Sequence, residues 1–157
     1  MINVSCLFGV GENGKPVTRR VLVDRCDAEF DIRETAITGL RQGHLSELVF
    51  ERTRVPTNHI MGYAGDAAKM LTMAWNGNRP LLGLMCVHLA QKAFDMARAY
   101  VGSWRQFGKL LGAHQLVQHD LADIETAIVS WRLMCYFALD CIDRGLRANG
   151  TSVMAKR

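Results

Sequence analysis

The chain has no CxxC pair, and its five cysteines (Cys6, Cys26, Cys86, Cys135 and Cys141) are odd in number and scattered. That spacing argues against a disulfide scaffold and against a cysteine-rich zinc module, and it points to a reducing compartment. No basic segment precedes an apolar one at the N-terminus, so a secretory signal is not indicated. Long hydrophobic runs are missing too. The longest, Leu81 to Ala90, is interrupted by His88, whereas a spanning helix needs about twenty apolar residues. Neither GxGxxG nor a P-loop occurs, and Gly9-Val-Gly11 reads as strand and turn. Basic residues are dispersed, with no cluster that would mark a nucleic-acid footprint. These absences lead to the expectation of a soluble, cytoplasmic protein that engages neither membrane nor nucleic acid.

What is present is globular. Hydrophobic residues make up 49% and charged residues 22% of 157 residues, which excludes disordered and fibrous classes. A chain of this size can bury a core without covalent staples. The net charge of +4 is unevenly placed: residues 1–60 carry eight basic and eight acidic side chains, and residues 61–157 carry eleven and seven. The excess on the second part reads first as an ordinary solvated helix surface, and secondly as a surface suited to phosphate-bearing partners.

The first sixty residues read as β-structure. Val4 to Val10 and Val17 to Val23 are apolar runs around the turn-forming Gly11-Glu-Asn-Gly-Lys-Pro16, a hairpin signal. Glu47 to Glu51 is a third candidate strand, and Pro56 and Asn58 close the region before Gly62 and Gly65. Beyond that the pattern is helical. Val117, Leu121, Ile124, Ile128, Trp131, Cys135, Ala138 and Ile142 recur at alternating intervals of four and three, with Gly145 as a C-terminal stop. Gly83, Val87, Ala90, Phe94, Ala97 and Val101 form a second such face. Two faces of this length predict long antiparallel helices in a bundle. Trp75-Asn-Gly-Asn-Arg-Pro80 interrupts the pattern, and local rules place a break or kink there. Asn149-Gly-Thr-Ser152 reads as a loop ending in an N-cap, followed by the first turn of another helix. A single turn cannot sustain itself, and a hairpin with a helical pair leaves apolar faces and a strand edge uncovered, so the chain is expected to be a piece of something larger and to associate.

Several segments then align in order: Gly39-Leu-Arg, Glu47-Leu-Val-Phe-Glu-Arg-Thr-Arg-Val-Pro56, Asn78-Arg-Pro80, Tyr100, Phe107-Gly-Lys109, His114-Gln115, Leu121-Ala-Asp-Ile124, Asp143-Arg-Gly145 and Met154-Ala-Lys156. Together they resemble the acyl-CoA dehydrogenases, across nearly the whole chain. The fold expected is therefore mainly α: an antiparallel long-helix bundle over 61–157, part of that family's C-terminal domain, preceded by a partial antiparallel β-domain over 1–60. The resemblance also implies that Asp66 to Val101 is one kinked helix.

The resemblance implies FAD as cofactor and an acyl-CoA as substrate, with a carboxylate base removing the α-proton while hydride leaves the β-carbon. It implies a homo-oligomer or a complementary subunit of the same family. Residue by residue, Gln115 matches a glutamine that reaches the FAD of a neighbouring subunit, and Phe107 an aromatic that packs on the same cofactor, with core packing as its alternative. Arg79 and Asn76 match an Arg and an Asp beside the acyl-CoA, with a structural ion pair as the alternative for Arg79. The family's pyrophosphate-binding arginine, three residues before the Phe, is here Trp104, and the nearest arginine is Arg105. One helical step rotates a side chain by about 100°. Where a minority of members carry the base, before the Arg of the long helix, this chain has Asn78, and an amide cannot serve. Asp66 and Asp95 lie turns away and read as a cap and a solvated charge. No catalytic residue is assigned. His114 and His119 are five apart with no carboxylate completing a set, so no metal site is assigned. The leading reading is a truncated or split acyl-CoA dehydrogenase. Two alternatives remain open: a non-catalytic helical oligomerisation module, and a flavin monooxygenase-like relative.

Overall fold

The structure, a computed structural model, describes residues 1–26, 28–39 and 42–157. Leu40 and Arg41 of the Gly39-Leu-Arg segment lie outside the described residues. Two compact units, Met1–Leu71 and Thr72–Arg157, are taken separately.

In the first unit, β1 (Ile2–Val10) and β2 (Pro16–Val23) form the expected antiparallel hairpin, from Ile2 opposite Val23 to Val10 opposite Pro16, with a register shift between Leu7 and Gly9. Its turn is closed by the Gly11 N–H donating to the Lys15 carbonyl at 2.8 Å and by the Lys15 N–H donating to Asn13 Oδ1 at 3.2 Å. Alternation turns Ile2, Val4 and Cys6 of β1 and Val21 and Val23 of β2 to one face, where they pack with Ala28, Phe30, Phe50 and Ile60. The Phe30 and Phe50 rings lie 5.3 Å apart. Two strands escaped the sequence reading. β3 (Asp31–Glu34) is largely charged and exposed, yet it pairs with β4 (Ser46–Val49), the third strand expected at 47–51. β5 (Ile60–Met61) has only two residues, too short for a periodic signal, and completes the sheet beside β2 in the order β1-β2-β5.

Helix α1 (Asp66–Ser103) is continuous through Asn76-Gly-Asn and Pro80, one helix as the resemblance implied, which rules out the break that local rules allowed as an alternative to a kink. At its start Asp66 Oδ2 accepts the N–H of Tyr63, in the segment leading into the helix, at 3.1 Å. Two short strands, β6 (Arg105–Gln106) and β7 (Lys109–Leu110), link it to α2 (Gln115–Asp143). The helices run antiparallel. Gly83 of α1 abuts Cys135 of α2, Arg132 donates to Gln91 Oε1 at 2.8 Å, and Val87, Ala90 and Phe94 pack with Leu121 and Ile128. Complete burial of a side chain such as Ile128 contributes about 1.5–3 kcal/mol. α2 ends at Gly145, whose φ of 68° no β-carbon opposes. The Gly145 N–H donates to the Ile142 carbonyl at 2.9 Å, and the Leu146 N–H to that of Cys141 at 2.8 Å, a Schellman end.

Three details correct the helical reading. Ile124 and Trp131 are 47% and 56% exposed, and Ala97 is exposed, because a 3.5-residue pattern drifts around a straight helix and a single partner covers a narrow stripe. Asn149–Ser152 is not a loop: α3 spans Asn149–Lys156, and buried Ala148 precedes it. Ser152 is not the cap either, since its hydroxyl donates to the carbonyl of Asn76 in α1 at 2.9 Å.

The three helices of this unit meet at small or fully buried residues: Pro80 and Gly83 of α1, Cys135 of α2, and Ser152 of α3. The Cys135 thiol donates to the Ala155 carbonyl at 3.6 Å, and burial pushes its pKa up. A β-carbon on Gly83 would strike that same carbonyl and come within 2.8 Å of Cys135 Sγ. Gly83→Ala is therefore expected to destabilise the chain by about 1–3 kcal/mol through overpacking, despite alanine's better helix propensity. Urea denaturation checks this, and a stabilised variant would contradict it.

Candidate functional site

The most unusual backbone in the second unit lies between α1 and α2. The Trp104 N–H still donates to the Tyr100 carbonyl at 2.9 Å, and its indole stacks on Tyr100 with centroids 5.8 Å apart. The chain then leaves the helix. β6 and β7 pair Arg105 with Leu110 and Gln106 with Lys109 around the two-residue turn Phe107-Gly108. Both turn residues have positive φ, 51° for Phe107 and 80° for Gly108, the pattern of a type I′ hairpin. Glycine adopts that conformation readily. A phenylalanine there costs about 1–2 kcal/mol, and Phe107 recovers little by burial, since it is 88% exposed.

The hairpin is braced from α2. His114 Nε2 lies 3.3 Å from the Gln106 carbonyl, the His114 ring meets Phe107 edge-on at 6.5 Å, and Gln118 donates to the Gly112 carbonyl at 2.9 Å. Gln115, the first residue of α2, is exposed beside it, at the helix end where backbone N–H groups point outwards. Arg105 belongs to β6 rather than α1, so a helical rotation does not describe its direction. Its guanidinium donates to the Gly108 carbonyl at 3.2 Å, across the turn. The structure thus gathers Arg105, Phe107 and Gln115 at one end of the α1–α2 pair. An aromatic face, an amide that both donates and accepts, and a cation fit one side of a flavin nucleotide.

Asn76 and Arg79 lie elsewhere. Arg79 stacks over the Trp75 ring at 5.5 Å, with no ion pair among the described residues, and lines a cleft of about 380 Å³ with Trp75, Asn78, Leu82 and Lys156. Asn76 turns away from it: its Nδ2 donates to Asn149 Oδ1 at 2.7 Å, and its Oδ1 is buried without a partner among the described residues. From Arg79 to Ser103, the last residue of α1, is 24 residues, or about 36 Å of helix. Neither carboxylate named for α1 reaches Arg79. Asp66 accepts the Tyr63 N–H at the helix start, and Asp95 accepts Gln91 Nε2 at 3.1 Å with Arg98 at 4.0 Å. The exposed His119 faces Asp120 and Asp123 at 3.6 and 3.5 Å. Sequence reasoning missed Trp75 and Lys156 as neighbours of Arg79. Trp75 stands four residues before Arg79, which is the available signal.

The acyl-CoA dehydrogenase C-terminal domain family matches residues 66–157. The probable acyl-CoA dehydrogenase FadE25 of Mycobacterium tuberculosis is 36% identical over 107 residues, covering 68% of this chain and 28% of that protein. Butyryl-CoA dehydrogenase from Megasphaera elsdenii superposes with a TM-score of 0.85 at 23% identity, over 98% of this chain and 40% of that one. The FAD complex of PigA superposes with a TM-score of 0.78 at 22% identity, over 88% and 36%. The chain belongs to the acyl-CoA dehydrogenase family, a family of FAD-dependent oxidoreductases, and spans about a quarter to two fifths of the length of these relatives.

Because Phe107 bears backbone strain without compensating burial, Phe107→Gly is expected to stabilise the chain by about 1 kcal/mol. A thermal melt checks this, and an unchanged or lowered midpoint would show that the phenyl ring supports the hairpin itself.

Proposed function

We propose that this chain is a partial subunit of an FAD-dependent acyl-CoA dehydrogenase, carrying part of the middle β-domain over 1–60 and part of the C-terminal bundle over 61–157. When bound, FAD supplies the hydride acceptor for α,β-dehydrogenation of an acyl-CoA thioester. The chain's own residues bind and orient. Phe107 offers its exposed ring to the cofactor, Gln115 its amide, and Arg105 its guanidinium from across the turn. Arg79, over the Trp75 ring, faces the anionic part of the acyl-CoA with Lys156 at its side, while Asn76 acts by holding the helix.

The observation that carries this reading is the separation of the two groups. About 36 Å of α1 lies between Arg79 and the hairpin, so the hairpin serves a cofactor other than the one beside its own Arg79, that of a neighbouring subunit. Association is supported by the broad apolar surface left on the helices: Leu89 is 74%, Leu116 74%, Leu133 63% and Phe137 54% exposed. Asn78 cannot take a proton, so a complementary subunit or segment supplies the base.

A second reading, a non-catalytic oligomerisation module, is favoured by the same apolar surface together with Asn78. Titration of the purified chain with FAD separates the two. A visible flavin spectrum on the protein is expected, with affinity lowered about 10-fold by Phe107→Ala and lowered also by Gln115→Ala. A chain that never takes up flavin, even mixed with products of adjacent genes, would leave only the module.

A further inference from the structure

A proline in the middle of a helix removes one hydrogen bond, because it has no N–H to offer the carbonyl four residues back. In α1 that proline is Pro80 and the vacated acceptor is the carbonyl of Asn76. The residue before a proline is also pushed away from helical backbone angles, and that residue is Arg79. Pro80 and Ser152 are both fully buried at this point. The repair comes from another helix: Ser152 Oγ donates to the Asn76 carbonyl at 2.9 Å.

The same turn of α3 makes a second bond to the same residue, Asn149 Oδ1 accepting from Asn76 Nδ2 at 2.7 Å. Asn149 and Ser152 are three apart and share a helix face, so one turn of α3 grips one residue of α1 by backbone and side chain. The cleft lined by Arg79 includes Lys156 of that same α3.

We infer that Ser152 is a positioning residue: its hydroxyl replaces the amide that Pro80 lacks, and α3 thereby holds α1 across its proline step and sets where Arg79 presents its guanidinium. α3 is in this sense part of the Arg79 site without needing to touch a ligand through Ser152. The consequence for substrate rests on the acyl-CoA reading above, while the repair of the helix does not.

A double-mutant cycle in urea tests the repair. Ser152→Ala in the chain with Pro80 leaves the Asn76 carbonyl without its donor and is expected to raise the unfolding equilibrium constant about 10-fold. In a Pro80→Ala chain the new amide can reach the Asn76 carbonyl, and Ser152→Ala is expected to cost less than about threefold. Equal costs in the two backgrounds would overturn the inference. Because Pro80→Ala also opens space in a packed junction, amide exchange provides a second readout. Ser152→Ala should speed exchange across residues 72–84 while leaving 117–128 unchanged, and uniform acceleration would reduce Ser152 to general packing.

Butyryl-CoA binding then separates this inference from the reading it leans on. Arg79→Ala and Ser152→Ala, compared where both remain folded, should each weaken it. If Arg79→Ala has no effect, the acyl-CoA reading fails and the repair stands on the cycle. If Arg79→Ala weakens binding and Ser152→Ala does not, positioning by Ser152 is overturned.

Discussion

The second unit is organised around one missing proton donor. Pro80 interrupts the hydrogen-bond ladder of a 38-residue helix, and the helix continues because Ser152 supplies the donor from outside. Much else in the unit follows from bringing α3 close enough to do so. α1 presents glycine at 83, where Ala155 and Cys135 approach, and the Cys135 thiol takes up an Ala155 carbonyl at the end of α3. A carbonyl shielded from water and left without a donor costs up to about 1–3 kcal/mol, so the contact and the helix support each other. An eight-residue helix would not hold alone in water, and α3 holds because it is tied at Asn76 and packed at Cys135.

The other end of α1 is governed by the opposite logic. There the backbone carries strain without burial, in a phenylalanine held at positive φ on the tip of a two-residue turn. Strain of this kind persists when surrounding structure enforces it. Here the enforcement is visible: the strand pairing of Arg105 with Leu110, the Leu111 N–H donating to the Trp104 carbonyl at 2.9 Å, and the Arg105 guanidinium closing on the Gly108 carbonyl. Stability and exposure are thus divided along one helix. It is tied to α3 around Asn76, and the turn beyond its far end exposes an aromatic ring, an amide and a guanidinium. Asn78, beside Arg79 in the half of α1 nearer α3, is an amide and cannot act as a proton acceptor.

How much of this was legible depended on whether the signal was local. The β1–β2 hairpin and the end of α2 at Gly145 could be read directly, because alternation, turn residues and a glycine stop act within a few positions. Continuity of α1 through Pro80 could not, since the donor that permits it lies 76 residues away from Asn76, and it was reached through family resemblance. Ser152 looked like a cap for the same chemical reason that it repairs α1, namely that a serine hydroxyl donates and accepts equally well wherever it is placed. β3 was hidden by its charges, and the exposure of Ile124 and Trp131 by the fact that periodicity marks a face without saying how wide its partner is. In the site, Phe107 and Gln115 were named from the resemblance. The left-handed turn that exposes Phe107, and the engagement of Arg105 with Gly108, depend on a two-strand closure that spacing alone does not reveal.

The central claim is that the hairpin between α1 and α2 meets a flavin cofactor. Amide hydrogen exchange on the chain with and without FAD tests it most directly. The account predicts slowed exchange in residues 104–118 on adding FAD, with lesser change across 72–84. Exchange that is unaltered in 104–118 while FAD is bound, or protection confined to the Arg79 region, would contradict it.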